Sequence, residues 1–156
     1  MKRLTRTLGL LLFAWPFAGC DAILDSLTPD AVSVTGITLT SFPTTDGGAS
    51  WDLTDDADLI FTITTQSSVL YEDSYYYEDV TAANLPLGMY MSNAYQLPTL
   101  AQTYYIRIWD HDDFSSHDCV GEATFVPNDY LNTQPTEIPF SSSTISGTVL
   151  VNWIFE

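Results

Sequence analysis

Basic residues are scarce in this chain. Its 156 residues include four Lys or Arg against twenty Asp or Glu, which gives a formal net charge of −16 at neutral pH. Beyond residue 6, Arg107 is the single Lys or Arg. A surface this acidic repels phosphates at long range, which argues against nucleic acid as a partner and against direct attraction to an anionic membrane. Cations must mediate any contact with such surfaces.

Cysteine is also rare, since the sequence has only Cys20 and Cys119. No disulfide framework is available, so the core must come from hydrophobic burial. Cys119 lies beside an apolar residue and close to a glycine, a setting that predicts a small buried side chain. A catalytic thiol would need a low pKa and a nearby base, and we do not expect one here.

No apolar run is long enough for a membrane-spanning helix. Residues 8–17 form a short apolar stretch after a basic start, an arrangement typical of a secretory signal. The segment Phe17–Cys20 resembles the lipobox of bacterial lipoproteins, in which the chain is cleaved before the cysteine and the sulfur is acylated, as with palmitate. We expect a signal peptide at 1–19 and a lipidated tether at 20–33, with Cys20 anchored to the inner or outer membrane of the bacterial envelope. An ordinary cleaved signal with a free Cys20 is the alternative.

From residue 34 to 156 the sequence favours strands, because apolar and polar residues alternate and no stretch shows helical periodicity over three turns. Glycine, proline and aspartate clusters at intervals of roughly ten residues indicate turns. The pattern predicts one all-β domain, an antiparallel β-sandwich. Three predicted strands show this alternation, and one phase of it consists of Leu59, Phe61, Ile63, Tyr104, Ile106, Ile108, Val149, Val151, Trp153 and Phe155.

The apolar pattern changes phase at Gly36. Val32 and Val34 precede this glycine in one phase, and Ile37 and Leu39 follow it in the other. Such a change is what a β-bulge produces, and we expect the bulge in an edge strand.

Residues 110–118 hold four aspartates and two histidines in one loop. Carboxylates this close repel one another unless a cation neutralises them or they take up protons. Sites rich in carboxylate oxygen suit hard cations, and calcium is the leading candidate outside the cytoplasm. His111 and His117 leave a zinc or copper site as an alternative, although no thiolate cluster accompanies them.

A second acidic loop, residues 52–58, directly precedes the predicted strand at Leu59. Both acidic loops therefore flank strands at their ends, and a sandwich gathers the loops of one end side by side. One ion cluster could be shared between them.

The spacing of these acids resembles that of the C2 domain family. Asp110, Asp112 and Asp118 keep the D-x-D-x5-D pattern of the family's third calcium loop. Asp52 and Asp58, with five residues between them, reproduce the pair in the first calcium loop.

The resemblance implies a C2-like antiparallel sandwich of eight strands that holds two or three calcium ions. It also implies that Phe114, at the tip of the third loop, contacts a membrane or a protein partner. We therefore expect a membrane-anchored, extracytoplasmic calcium-binding module that engages a phospholipid headgroup or a protein through calcium-filled loops. The implied metal ligands are Asp52, Asp58, Asp110, Asp112 and Asp118.

The chain departs from the family in the middle of the domain. The strand that carries basic residues in phosphoinositide-binding members has no counterpart, because residues 71–79 are acidic and aromatic. Specific phosphoinositide recognition is therefore not expected.

The heavy load of tyrosine supports a competing function. Carbohydrate-binding β-sandwiches also combine aromatic platforms with structural calcium, so a glycan is the alternative ligand. Packing on sheet surfaces accounts for most tyrosines in such folds. An enzyme is not expected, because the sequence shows no Ser-His-Asp order, no nucleophile elbow and no Gly-rich phosphate loop.

Overall fold

The computed structural model describes residues 28–51, 56–112 and 116–155. The predictions for the signal peptide, Cys20, Asp52 and Phe114 lie outside these residues. Two short 3-10 helices, Ala82–Asn84 and Pro127–Tyr130, accompany the strands. The strands are β1 (Ala31–Ser41), β2 (Ala57–Thr64), β3 (Val69–Glu72), β4 (Tyr77–Val80), β5 (Leu87–Gln96), β6 (Tyr104–Asp110), β7 (Asp118–Phe125), β8 (Glu137–Ser141) and β9 (Ser146–Ile154).

Two antiparallel sheets form the sandwich. One has the order β5-β1-β9-β8, and the other has the order β3-β2-β6-β7 with β4 also paired to β2. The predicted antiparallel sandwich is confirmed, but the described residues contain nine strands rather than eight. The extra strand arises because Asp73 bends the chain between β3 and β4. Its carboxylate accepts hydrogen bonds from the backbone N–H groups of Ser74 and Tyr75, at 2.9 and 3.4 Å, and such local bonds compete with strand pairing.

The core lies between the sheets and follows the predicted alternation. Leu59, Phe61 and Ile63 of β2 are fully buried, as are Ile106 and Ile108 of β6. A residue spacing of two places these side chains on one face, so each strand covers the core with alternate residues. The predicted alternation extends too far at the C terminus. Phe155 is exposed because it lies one residue beyond the end of β9.

The bulge at Gly36 is confirmed, but its place in the sheet is not the predicted one. Pairing of β1 with both β5 and β9 shifts between Val34 and Gly36. β1 is therefore an interior strand with a neighbour on each side, not an edge strand. β1 begins at Ala31, a few residues before the domain start that the sequence suggested at 34.

Cys119 is exposed on β7, so the prediction of a buried side chain is wrong. Partial desolvation raises the pKa of its thiol, while a backbone hydrogen bond at Gly121 and the charge of Arg107 act in the opposite direction. A raised pKa leaves little thiolate at neutral pH, so this sulfur is a poor nucleophile.

Candidate functional site

Three of the predicted ligands lie at the same end of neighbouring strands. Asp110, the last residue of β6, pairs with Leu59 of β2 on one side and with Asp118 of β7 on the other. Asp58 directly precedes Leu59. Paired residues of an antiparallel ladder lie about 5 Å apart at Cα. Asp58, Asp110 and Asp118 therefore lie side by side across the ends of these three strands, and we call this end of the sheet its acidic edge.

Hydrogen bonds join the two acidic loops at this edge. The buried Asp110 carboxylate, 1% exposed, accepts from the Asp58 backbone N–H at 2.7 Å. The His111 backbone N–H donates to the Asp58 carbonyl oxygen, also at 2.7 Å. The loop that begins at Asp110 is thus fixed against the end of the loop at 52–58.

The backbone of Asp79 in β4 also contacts Asp58 here, and the sequence analysis missed this contact. The Asp79 backbone N–H donates to the Asp58 carboxylate at 2.9 Å. Asp79 has a positive φ of 51°, a conformation that few non-glycine residues adopt. Asp79 lies next to Asp58 because β4 pairs with β2. No local feature of the sequence predicts that pairing.

The two histidines stack with a tyrosine beside the aspartates. The His111 ring lies parallel to Tyr76 with centroids 4.2 Å apart, and the His117 ring is 4.6 Å from His111. The Asp112 backbone N–H donates to Nδ1 of His117 at 3.1 Å, so this nitrogen is an acceptor within the loop. This hydrogen bond occupies Nδ1 of His117, so Nε2 is the ring nitrogen of this residue that is left for a zinc or copper ion.

The site residues fit calcium in donor chemistry, since the acids at this edge offer carboxylate oxygen and the backbone adds carbonyls. Within residues 28–51, 56–112 and 116–155, however, no three His, Cys, Asp or Glu side chains converge as a metal centre. Strand pairing places Asp58, Asp110 and Asp118 at neighbouring strand ends without converging their side chains on one point, and Asp112 lies two residues into the loop. Asp52, the fifth predicted ligand, lies outside the described residues.

A buried carboxylate away from this edge was also missed. Asp73 is 6% exposed, and its Oδ1 accepts from the Tyr71 hydroxyl at 3.3 Å. Its Oδ2 is buried and has no hydrogen-bond partner among the residues that the structure describes. Burial of Tyr71 and then the nearby Asp73 charge raise the pKa of Tyr71 to about 12.

This raised pKa makes the protein sensitive to alkaline pH. Below pH 10.0, the ordinary tyrosine pKa, Tyr71 is neutral in both states and its contribution to stability is fully present. Between that pH and about 12 the unfolded chain ionises first, so the free energy of unfolding falls as pH rises. Thermal denaturation followed by circular dichroism at stepped alkaline pH measures this fall.

Tyr71→Phe provides the control for this prediction. We expect a shallower decline in the variant, with a remainder from Tyr77 and Tyr104, whose pKa values burial also raises. Equal declines in variant and parent would contradict the prediction.

Comparison with solved structures identifies the fold. Human GIVD cytosolic phospholipase A2, in complex with a fluorophosphonate inhibitor and terbium chloride, matches with a TM-score of 0.58 and 11% identity, over 83% of this chain and 18% of that one. A fragment of extended synaptotagmin 2 with its SMP domain and two C2 domains matches with a TM-score of 0.56 and 13% identity, over 90% of this chain and 31% of that one. A shorter fragment of the same protein, with the two C2 domains, gives 0.53 and 11%, over 99% and 47%.

The chain therefore has a C2-like fold, as the aspartate spacing implied. It spans less than half the length of each of these structures. No protein-family model and no curated protein matches the sequence. Among the described residues, no helix is long and apolar enough to cross a bilayer.

Proposed function

We propose that this protein is an extracytoplasmic, calcium-binding C2-like module, anchored through Cys20 to the inner or outer membrane of a bacterial envelope, which engages a phospholipid headgroup or a protein partner through its acidic loops. One observation carries the proposal. Asp58, Asp110 and Asp118 lie along one edge of a C2-like sheet, and hydrogen bonds fix the two loops to each other there.

Electrostatics supports a role for calcium in this contact. Arg107 is the only Lys or Arg in the described part of the chain, and its guanidinium already pairs with Glu122. The loops therefore have no Lys or Arg in this part of the structure with which to hold an anionic headgroup. Bound calcium would supply that positive charge, and two or three ions would offset the five aspartates.

Asp52, Asp58, Asp110, Asp112 and Asp118 are the proposed ligands, with backbone carbonyls completing the set. Calcium sites of extracellular modules work at affinities of about 10⁻⁴ to 10⁻³ M. Calcium is plentiful outside the cytoplasm, so sites of this affinity would stay filled there. The ions would then act as permanent parts of the fold rather than as a switch. Phe114 is the proposed residue that enters the lipid interface or a pocket of the partner.

Co-sedimentation with liposomes of phosphatidylglycerol and phosphatidylethanolamine tests whether the protein binds a phospholipid headgroup. We expect the protein to pellet with vesicles in calcium and to remain in solution with chelator. Phe114→Ala should weaken binding by about tenfold, because an apolar side chain no longer enters the interface. Equal pelleting with calcium and with chelator would refute a calcium-mediated contact.

A carbohydrate ligand remains the second candidate because the structure exposes aromatic rings. Tyr75 and Tyr90 are 64% and 67% exposed, and Tyr75 stacks with Tyr76 at 6.4 Å between centroids. Exposed stacked rings suit the apolar faces of sugars. A glycan array in calcium and in chelator separates this function from lipid binding.

A further inference from the structure

A small groove lies on the outer face of the β3-β2-β6-β7 sheet. Its volume is about 160 Å³. This is close to the roughly 150 Å³ cavity that accepts a benzene-sized guest, and below the size of pockets for drug-like ligands. The groove therefore has room for one side chain. It is lined by Ile60, Thr62, Val69, Glu72, Trp109 and His117.

Strand register explains why these side chains meet. Leu59, Phe61 and Ile63 face the core, so Ile60 and Thr62 lie on the opposite face of the sheet, where each is 5% exposed. Thr62 lies opposite Glu72 of β3, and Ile60 lies opposite Trp109 of β6. Three adjacent strands thus form the groove, and His117 adds to it from the loop before β7.

The aromatic wall of the groove is held in place before any ligand arrives. Nε1 of Trp109 donates to the Thr62 hydroxyl at 3.0 Å, which fixes the orientation of the indole. A ligand that stacks on this ring loses little free energy in ordering it, and such preorganisation raises affinity.

The charge of the groove selects for a cation. Glu72 is exposed at its border. Arg107 faces the same side of the sheet, but it pairs with Glu122 and lies 5.8 Å from the Tyr105 ring centroid. The Arg107–Glu122 bond is the only ion pair between described residues. The groove therefore presents a carboxylate, an indole face, the imidazole of His117 and aliphatic surface, with no Lys or Arg among its lining residues.

We propose that this groove, defined by Glu72 and Trp109, binds an arginine side chain from a basic protein partner. A guanidinium is flat, stacks on indole and donates to a carboxylate at its edge. A quaternary ammonium headgroup would favour a cage of several aromatic rings, and the lining residues supply only the indole of Trp109 and the imidazole of His117. β3 is also an outer strand of its sheet, and Val69 is 59% exposed. An extended segment of the partner can therefore lie along the free side of β3.

A peptide titration tests the proposal on the full chain. The probe is a blocked Gly-Arg-Gly peptide, and its neutral match carries citrulline in place of arginine. The titration is run with chelator so that calcium at the acidic loops plays no part. The readout is the Trp109 indole N–H signal in a nitrogen-15 correlation spectrum, assigned by its loss in Trp109→Phe.

We expect the arginine peptide to shift this signal and the citrulline peptide to bind about fivefold more weakly. Glu72→Gln should weaken arginine binding by a similar factor, since it removes the charge and keeps the size. Glu78→Gln is the matched control, because Glu78 is an exposed acid of β4 that does not line the groove. It should bind as the parent does.

Three results would overturn the proposal. An unmoved Trp109 signal would show that the groove does not take the side chain. Equal weakening by Glu72→Gln and Glu78→Gln would show that binding follows net charge. Tighter binding of tetramethylammonium than of the arginine peptide would identify an alkylammonium headgroup as the ligand. His117 belongs both to the groove and to the loop at 110–118, so the chelator is what keeps calcium binding out of these measurements.

Discussion

We expect calcium at about 10 mM to raise the melting temperature of the parent protein by roughly 5 to 10 °C, and Asp112→Asn to remove most of this rise. The size of the rise in the parent follows from mass action. A ligand present at ten to a hundred times its dissociation constant stabilises the folded state by about 1.4 to 2.7 kcal/mol per site. Each kcal/mol corresponds to a few degrees in a domain of this size. Thermal-shift titrations with calcium and with magnesium measure the effect.

Asp129→Asn is the matched control for charge. Asp129 follows the end of β7 at which Phe125 pairs with Tyr104, and this is the opposite end of β6 from Asp110. The control should respond to calcium as the parent does. Magnesium, which keeps its water shell and demands octahedral geometry, should give a much smaller rise. Equal, negligible responses to both ions in the parent would remove the calcium hypothesis.

We expect Gly36→Ala to destabilise the fold by about 3 kcal/mol and to lower the melting temperature by about 10 °C. A Cβ atom added at Gly36 would lie 2.5 Å from the carbonyl oxygen of Met89 and 3.0 Å from Cα of Tyr90. Both neighbours are backbone atoms of β5, so the two strands must move apart to admit the methyl group. Thermal and urea denaturation measure the loss.

Gly88→Ala isolates the effect of strand separation. Gly88 belongs to the same ladder, opposite Thr38, but its nearest neighbours are atoms of the Tyr90 ring. That ring is largely exposed and can turn away. We expect Gly88→Ala to cost far less than Gly36→Ala. Similar losses in the two variants would mean that the contact with the β5 backbone is not the cause.

Alternation and loop spacing in the sequence were sufficient to predict the sandwich and the meeting of its two acidic loops. Leu59 and Ile106 are buried because a period of two holds in each strand, whichever strands are neighbours. Asp58 and Asp110 meet because each flanks the end of a strand and the two strands pair. Both results depend on the local sequence pattern and on a single strand pairing, that of β2 with β6.

The sequence alone could not predict features that depend on pairing between strands far apart in the chain. Gly36 marks the bulge, but the same pattern suits an edge strand and an interior strand, so the two neighbours of β1 could not be foreseen. Asp79 reaches Asp58 only because β4 pairs with β2. Asp73 is buried by a bend that its own carboxylate helps to form, and in the sequence it is one acid among several.

The interior position of β1 has a mechanical consequence. A pulling force transmitted through the segment before residue 30 enters the domain at Asp30, whose backbone N–H donates to the Ile154 carbonyl oxygen. The load then runs along a strand that is bonded to β5 on one flank and to β9 on the other. Removal of this strand would break its bonds to two neighbours, whereas removal of an outer strand would break bonds to one. The first strand after the N-terminal segment is thus held in its sheet from both sides.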